Sequence, residues 1–94
     1  MVVSMAARVT VPTEVLVSKV GEESVMLDLN SERYFGLDAV GTRMWELLGS
    51  HGTVEAAYAA LLEEFDVDAE QLRLDLYQLV EKLSEHGLIE VVDG

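Results

Sequence analysis

The sequence predicts an α+β domain in which a three-stranded antiparallel sheet precedes three helices. Between residues 14 and 37, short runs rich in Val, Leu, Tyr and Phe are separated by turns holding Gly or Asn, the pattern of a β-meander. Between residues 39 and 85 the apolar residues recur at helical spacing instead. Three strands are stable only against an apolar partner layer, and the helices supply it.

The alternation of Glu14–Val20 (EVLVSKV) predicts the first strand, after Pro12. Gly21-Glu22-Glu23 turns the chain into Ser24–Leu29 (SVMLDL), which places Val25, Leu27 and Leu29 on one face. Asn30-Ser31-Glu32 turns it again into a third strand, Arg33–Leu37 (RYFGL). Asp38 is the expected N-cap of a helix from Ala39 to about Leu48, with Val40, Met44, Leu47 and Leu48 as its buried stripe. Gly49-Ser50-His51-Gly52 ends that helix, and Thr53 caps a second one whose apolar positions are Val54, Ala57, Tyr58, Leu61, Leu62 and Phe65. Asp68 with Gln71 has the spacing of a capping box and opens a third helix to about Glu85. Gly87 suits the left-handed turn after a helix end, and Leu88–Val92 follows as a closing strand or extended tail. Residues 1–13 are expected to be a flexible arm and residues 14–94 a single domain.

The third helix has more apolar surface than one buried face requires. At about 100° per residue, Leu72, Leu76, Leu79, Val80 and Leu83 share one stripe, while Leu74 and Tyr77 lie well outside it and Arg73 lies between. The predicted third strand is the other unusual element. An outermost strand exposes unpaired backbone groups that proteins blunt or use, and Arg33–Leu37 has one charge, no proline and two adjacent aromatics. Tyr34 and Phe35 point to opposite faces of the sheet. Trp45, beside Met44, reads as a packing residue.

Composition excludes several functions. The chain has no cysteine, so it forms no disulfide, thiolate metal site or cysteine nucleophile, which is compatible with the cytoplasm. Eighteen acids against six bases give a formal charge of −12, which repels the phosphates on which nucleic-acid affinity depends. No apolar run approaches the ~20 residues of a membrane span. His51 and His86 lack partners at metal-ligand spacing, and no nucleophile elbow, phosphate loop, paired-histidine motif or calcium loop is present. No catalytic constellation is predicted, and no cofactor.

The run VMLDLNSERYFGLDAVGTRMWELL, the helix pattern T-V-x-x-A-x-x-x-L-x-x-x-F-D-V and the ending L-x-x-x-L-x-x-x-G-L-I resemble the PqqD-like family. Its members are RiPP recognition elements, small modules that bind the leaders of ribosomally made precursor peptides. The resemblance spans Val15 to Val92 and is most specific in LDL…YFGLDAVGTRMW. It implies a winged helix-turn-helix and a non-catalytic role, most similar to the stand-alone leader-binding proteins of lasso-peptide biosynthesis, whose leaders carry a tyrosine and a proline near each other. The leader would dock as an added strand beside the third strand, in a cleft walled by the third helix. Carried onto this chain, one wall is Arg33, Tyr34, Phe35, Gly36 and Leu37, and the other is Arg73, Leu76, Tyr77 and Val80. The partners implied are a precursor leader, a separate leader peptidase and a cyclase, with no nucleic acid and no membrane. A winged-helix DNA-binding regulator is disfavoured because the third helix sets Asp68, Glu70, Asp75, Glu81 and Glu85 against Arg73 and Lys82. A structural adaptor for a folded protein is the remaining alternative.

Overall fold

A computed structural model describes residues 5–92. Three strands, β2 (Val15–Val20), β3 (Glu23–Asp28) and β4 (Arg33–Leu37), form an antiparallel sheet in the order β2-β3-β4. Three helices follow, α1 (Ala39–His51), α2 (Val54–Glu64) and α3 (Ala69–Glu85). Two short strands, β1 (Arg8–Thr10) and β5 (Glu90–Val92), pair with each other in a second sheet. The three-strand, three-helix order is the one the sequence predicts, and the small sheet is an addition to it.

Side-chain caps set the helix boundaries. Asp38 accepts the Gly41 N–H at 2.7 Å, Thr53 accepts that of Ala56 at 3.2 Å, and Asp68 accepts that of Gln71 at 3.0 Å. The capping box forms only in half, because the Gln71 side chain donates to Asp75 rather than returning to the Asp68 backbone. At the far end of α3, Leu88 N–H reaches the Leu83 carbonyl at 2.9 Å and Gly87 N–H reaches Ser84 at 3.1 Å. With Gly87 at φ +71° and both Leu83 and Leu88 buried, this is a Schellman stop. The first helix continues three residues past the predicted Leu48, ending where Gly52 turns left-handed at φ +83°.

The core gathers Met26 and Leu37 from the sheet, Met44, Leu47 and Leu48 from α1, Val54, Ala57 and Leu61 from α2, and Leu72, Leu76, Val80 and Leu83 from α3. Its position corrects two expectations. The inner face of β3 carries Ser24 and Met26, so Val25 and Leu29 are exposed on the outer side of the sheet. Val40 and Leu62, expected in buried stripes, are exposed as well. Trp45 is half-buried against the core.

The segment read as a loose arm joins the fold from Met5 onward. Ala7 is fully buried, and the carbonyls of Met5 and Ala7 accept the N–H groups of Glu55 and Val54 at 2.8 and 3.0 Å. These donors open α2 and have no partner within the helix. Residues 1–4 of the arm lie outside the described residues.

Candidate functional site

The strand order leaves one long side of β4 without a partner strand among the described residues. Register fixes the direction of its side chains. Phe35 pairs with Met26 and Leu37 with Ser24, both buried, so Arg33, Phe35 and Leu37 face inward. Tyr34 pairs with Leu27 and Gly36 with Val25 on the outer face, where Tyr34 is 77% exposed.

A groove of about 310 Å³ opens between β4, the start of α1 and α3. Phe35, Gly36, Leu37 and Asp38 line one wall, Val40, Gly41 and Met44 the floor, and Asp75, Gln78, Leu79 and Lys82 the other wall. Asp38 places β4 against α1 here, since it follows the strand and caps the helix. Gly41 has a reason in the packing, because a Cβ there would stand 3.2 Å from Asp38 Oδ1. At the opposite end Phe35 meets the His86 ring edge-on, with centroids 5.3 Å apart. His86 is positioned by the α3 stop, and its Nδ1 lies 2.8 Å from the Lys82 carbonyl.

This geometry gathers one predicted wall and divides the other. Phe35, Gly36 and Leu37 line the groove, and Arg33 lies just beyond Phe35 on the same strand face. Tyr34 is on the strand edge but turned to the outer face. Leu76 and Val80 are at most 1% exposed and belong to the core. Arg73 and Tyr77 fall on the flank of α3 opposite the groove-lining residues, given ~100° per residue. There they engage each other and a neighbour. The Arg73 guanidinium sits 5.7 Å from the Tyr77 ring centre and is bound by Glu70, which raises the Arg73 pKa. The groove residues that the sequence reading did not select are Asp38, Val40, Gly41 and Met44, and on α3 Asp75, Gln78, Leu79 and Lys82. Of those on α3, Leu79 was the one with a signal, an apolar residue at the margin of the core stripe.

A second groove, of about 370 Å³, lies beside β2 and is occupied by charge. Lys19 binds Glu46 at 3.2 Å, Glu46 binds Arg43 at 3.7 Å, and Arg43 forks onto Glu64. The hydrogen bonds that Arg43 donates to Glu64 hold the Glu64 carboxyl below the usual carboxylate range and raise the Arg43 pKa. This network ties the sheet to α1 and α2. Among the described residues no three His, Asp or Glu side chains cluster as a metal site requires, and no helix is long and apolar enough to cross a membrane.

Residues 23–89 match the family model described as coenzyme PQQ synthesis protein D (PqqD). Among solved structures, the chain is similar to TbiB1 in complex with the TbiA(beta) leader peptide. That match has 34% identity and a TM-score of 0.79 over 85% of this chain and 93% of the other. It is also similar to a lasso peptide synthetase B1 complexed with the leader peptide, at 22% identity and the same TM-score over 88% of this chain and 98% of the other. The latter identity supports the shared fold alone. No curated protein matches the sequence. With the family model covering β3 through the α3 stop, and TbiB1 matched over nearly its whole length, the chain belongs to the PqqD family of RiPP recognition elements.

Proposed function

We propose that this chain is a non-catalytic module that binds the leader of a ribosomally made precursor peptide, of lasso type, by adding it as a strand to β4. The observation that carries this reading is a strand edge, unpaired among the described residues, lying directly beside a groove with Phe35, Val40 and Leu79 among its lining. Strand addition takes its register from backbone bonds and its selectivity from alternate side chains entering pockets. About four backbone bonds at ~0.5–1.5 kcal/mol each hardly exceed the ~2–5 kcal/mol needed to order a free peptide. The rest must come from side chains meeting the accessible apolar lining, Phe35, Val40 and Leu79, since an anchored aromatic contributes ~2 kcal/mol or more. An aromatic residue near a proline suits such a groove. By tethering the leader in the cytoplasm, the module raises the precursor's local concentration at a separate peptidase, and a cyclase acts downstream.

The test uses the two flanks of α3. With the TbiA(beta) leader peptide as fluorescent probe, Leu79→Ala should weaken binding by more than ~1 kcal/mol, while Tyr77→Ala and Arg73→Ala leave it within ~0.5 kcal/mol. The reverse order would transfer the site to the Arg73–Tyr77 flank, and unchanged binding in all three would remove α3 from it. Far-UV circular dichroism of each variant separates lost binding from lost fold.

A further inference from the structure

The groove has an electrical direction. Phe35 touches His86 at the C-terminal end of α3, whereas Asp38, three residues further along the strand direction, shares the groove with Asp75, far earlier in that helix. Were β4 and α3 to run in the same sense, Asp38 would lie past the end of α3. The two walls therefore run in opposite senses, and their charges coincide. One end holds Arg33 and Lys82, and the other holds Asp38 and Asp75. Lys82 and Asp75 stand about 10 Å apart along the helix axis.

None of these four side chains is closed in an ion pair among the described residues, although Asp28 stands across from Arg33 in register. Lys19, Arg43 and Arg73 are each held by an acid, but among the described residues neither Arg33 nor Lys82 has a carboxylate at ion-pair distance. Asp75 accepts the neutral Gln71 amide at 2.9 Å, and Asp38 accepts only a backbone N–H.

Resting on the reading that a peptide adds to β4, we propose that the site selects an extended peptide with a basic residue before its apolar centre and an acidic residue after it. An antiparallel strand, the pairing used throughout this sheet, would start beside Asp38 and Asp75 and leave beside Lys82 and Arg33. At ~3.3 Å per residue, the two charged positions lie about three to five residues apart. The acidic position is the more telling one. A chain of formal charge −12 attracts bases at every position, so an acid is selected only where a local cation overcomes that background.

The experiment selects a phage-displayed library of random dodecapeptides on the intact chain and on Lys82→Glu, a change on the exposed groove rim. Wild type should enrich an acid after the apolar centre by about three- to five-fold over the unselected library, as exposed ion pairs permit, with bases before it. Lys82→Glu should lose the acid and keep the preceding base. The same charge order in both selections, or acids enriched ahead of the centre, overturns the proposal. Backbone amide shifts of residues 33–37 then separate the two levels. Peptides that shift those amides without ordered charges overturn the polarity alone. Peptides that leave them unmoved, or a selection that enriches nothing, overturn the β4 site and the polarity with it.

Discussion

Ser24 and Thr42 offer a sharp test of how the groove's inner wall is held. Their hydroxyl oxygens lie 2.8 Å apart, both side chains are buried, and Thr42 Oγ1 also donates to the Leu37 carbonyl at 3.4 Å. Thr42 has one hydroxyl proton. If it goes to Leu37, Ser24 is the donor to Thr42, and the three groups form a relay from β3 through α1 to the end of β4. The two single substitutions are then unequal. Ser24→Ala removes one bond and strands no donor, costing ~0.5–1.5 kcal/mol. Thr42→Val keeps the shape but leaves the Ser24 hydroxyl buried without an acceptor, costing ~1–3 kcal/mol. The double variant strands no hydroxyl but loses the bond to the Leu37 carbonyl as well, so it should cost no more than Thr42→Val alone, a coupling of ~1 kcal/mol or more. Urea unfolding followed at 222 nm gives all four free energies. Additive losses, or a costlier Ser24→Ala, would mean that the proton does not run in this direction and that the relay does not anchor Leu37.

Other outcomes follow from single features. Gly87→Ala should destabilise by ~1–2 kcal/mol, because φ is +71° although nothing stands within 4 Å of the added Cβ. Gly36→Ala, equally open but without positive φ, should stay within ~0.5 kcal/mol in the same unfolding assay. Glu64 has its carboxyl pKa depressed by Arg43, so its contribution is present above the unfolded carboxylate value and is lost as pH falls through the lower folded one. Thermal melts of wild type and Glu64→Gln should therefore differ at neutral pH and converge on acidification, with added salt narrowing the gap. A gap that widens in acid would contradict the pairing.

The elements were legible because local chemistry writes them. Asp38, Thr53 and Asp68 are caps in the sequence and caps in the structure, and Gly87 stops α3 as its position predicts. What was not legible depends on phase and crossing. In β3 both alternating sets contain apolar residues, so Val25, Leu27 and Leu29 look like a core face until Ser24, hydrogen-bonded to Thr42, takes the inner side with Met26. Periodicity likewise identifies the buried stripe of α3 without telling on which flank β4 lies. The sequence therefore assigns the cleft wall to the flank of Tyr77 and Arg73, whereas the contact of Phe35 with His86 and the lining of the groove put β4 beside Leu79 and Lys82. The strand β1 is three residues long and pairs with the opposite end of the chain, so no local pattern announces it.

The division of α3 explains how so small a domain keeps both a core and an open site. Leu72, Leu76, Val80 and Leu83 meet the core, and Asp75, Gln78 and Lys82 make the groove rim water-compatible, leaving Leu79 as the apolar contact between them. A wider apolar stripe on that flank would draw β4 closer and shut the groove, because buried apolar surface is driven together wherever the backbone allows. The same polar rim restrains the unpaired edge of β4. That edge carries only Arg33 among its five residues, so its own sequence offers little protection against pairing with another copy. Two copies each at −12 repel at contact distances, within a Debye length of ~8 Å at physiological salt. The charge of the whole chain thus opposes self-pairing at an edge that its local sequence leaves open.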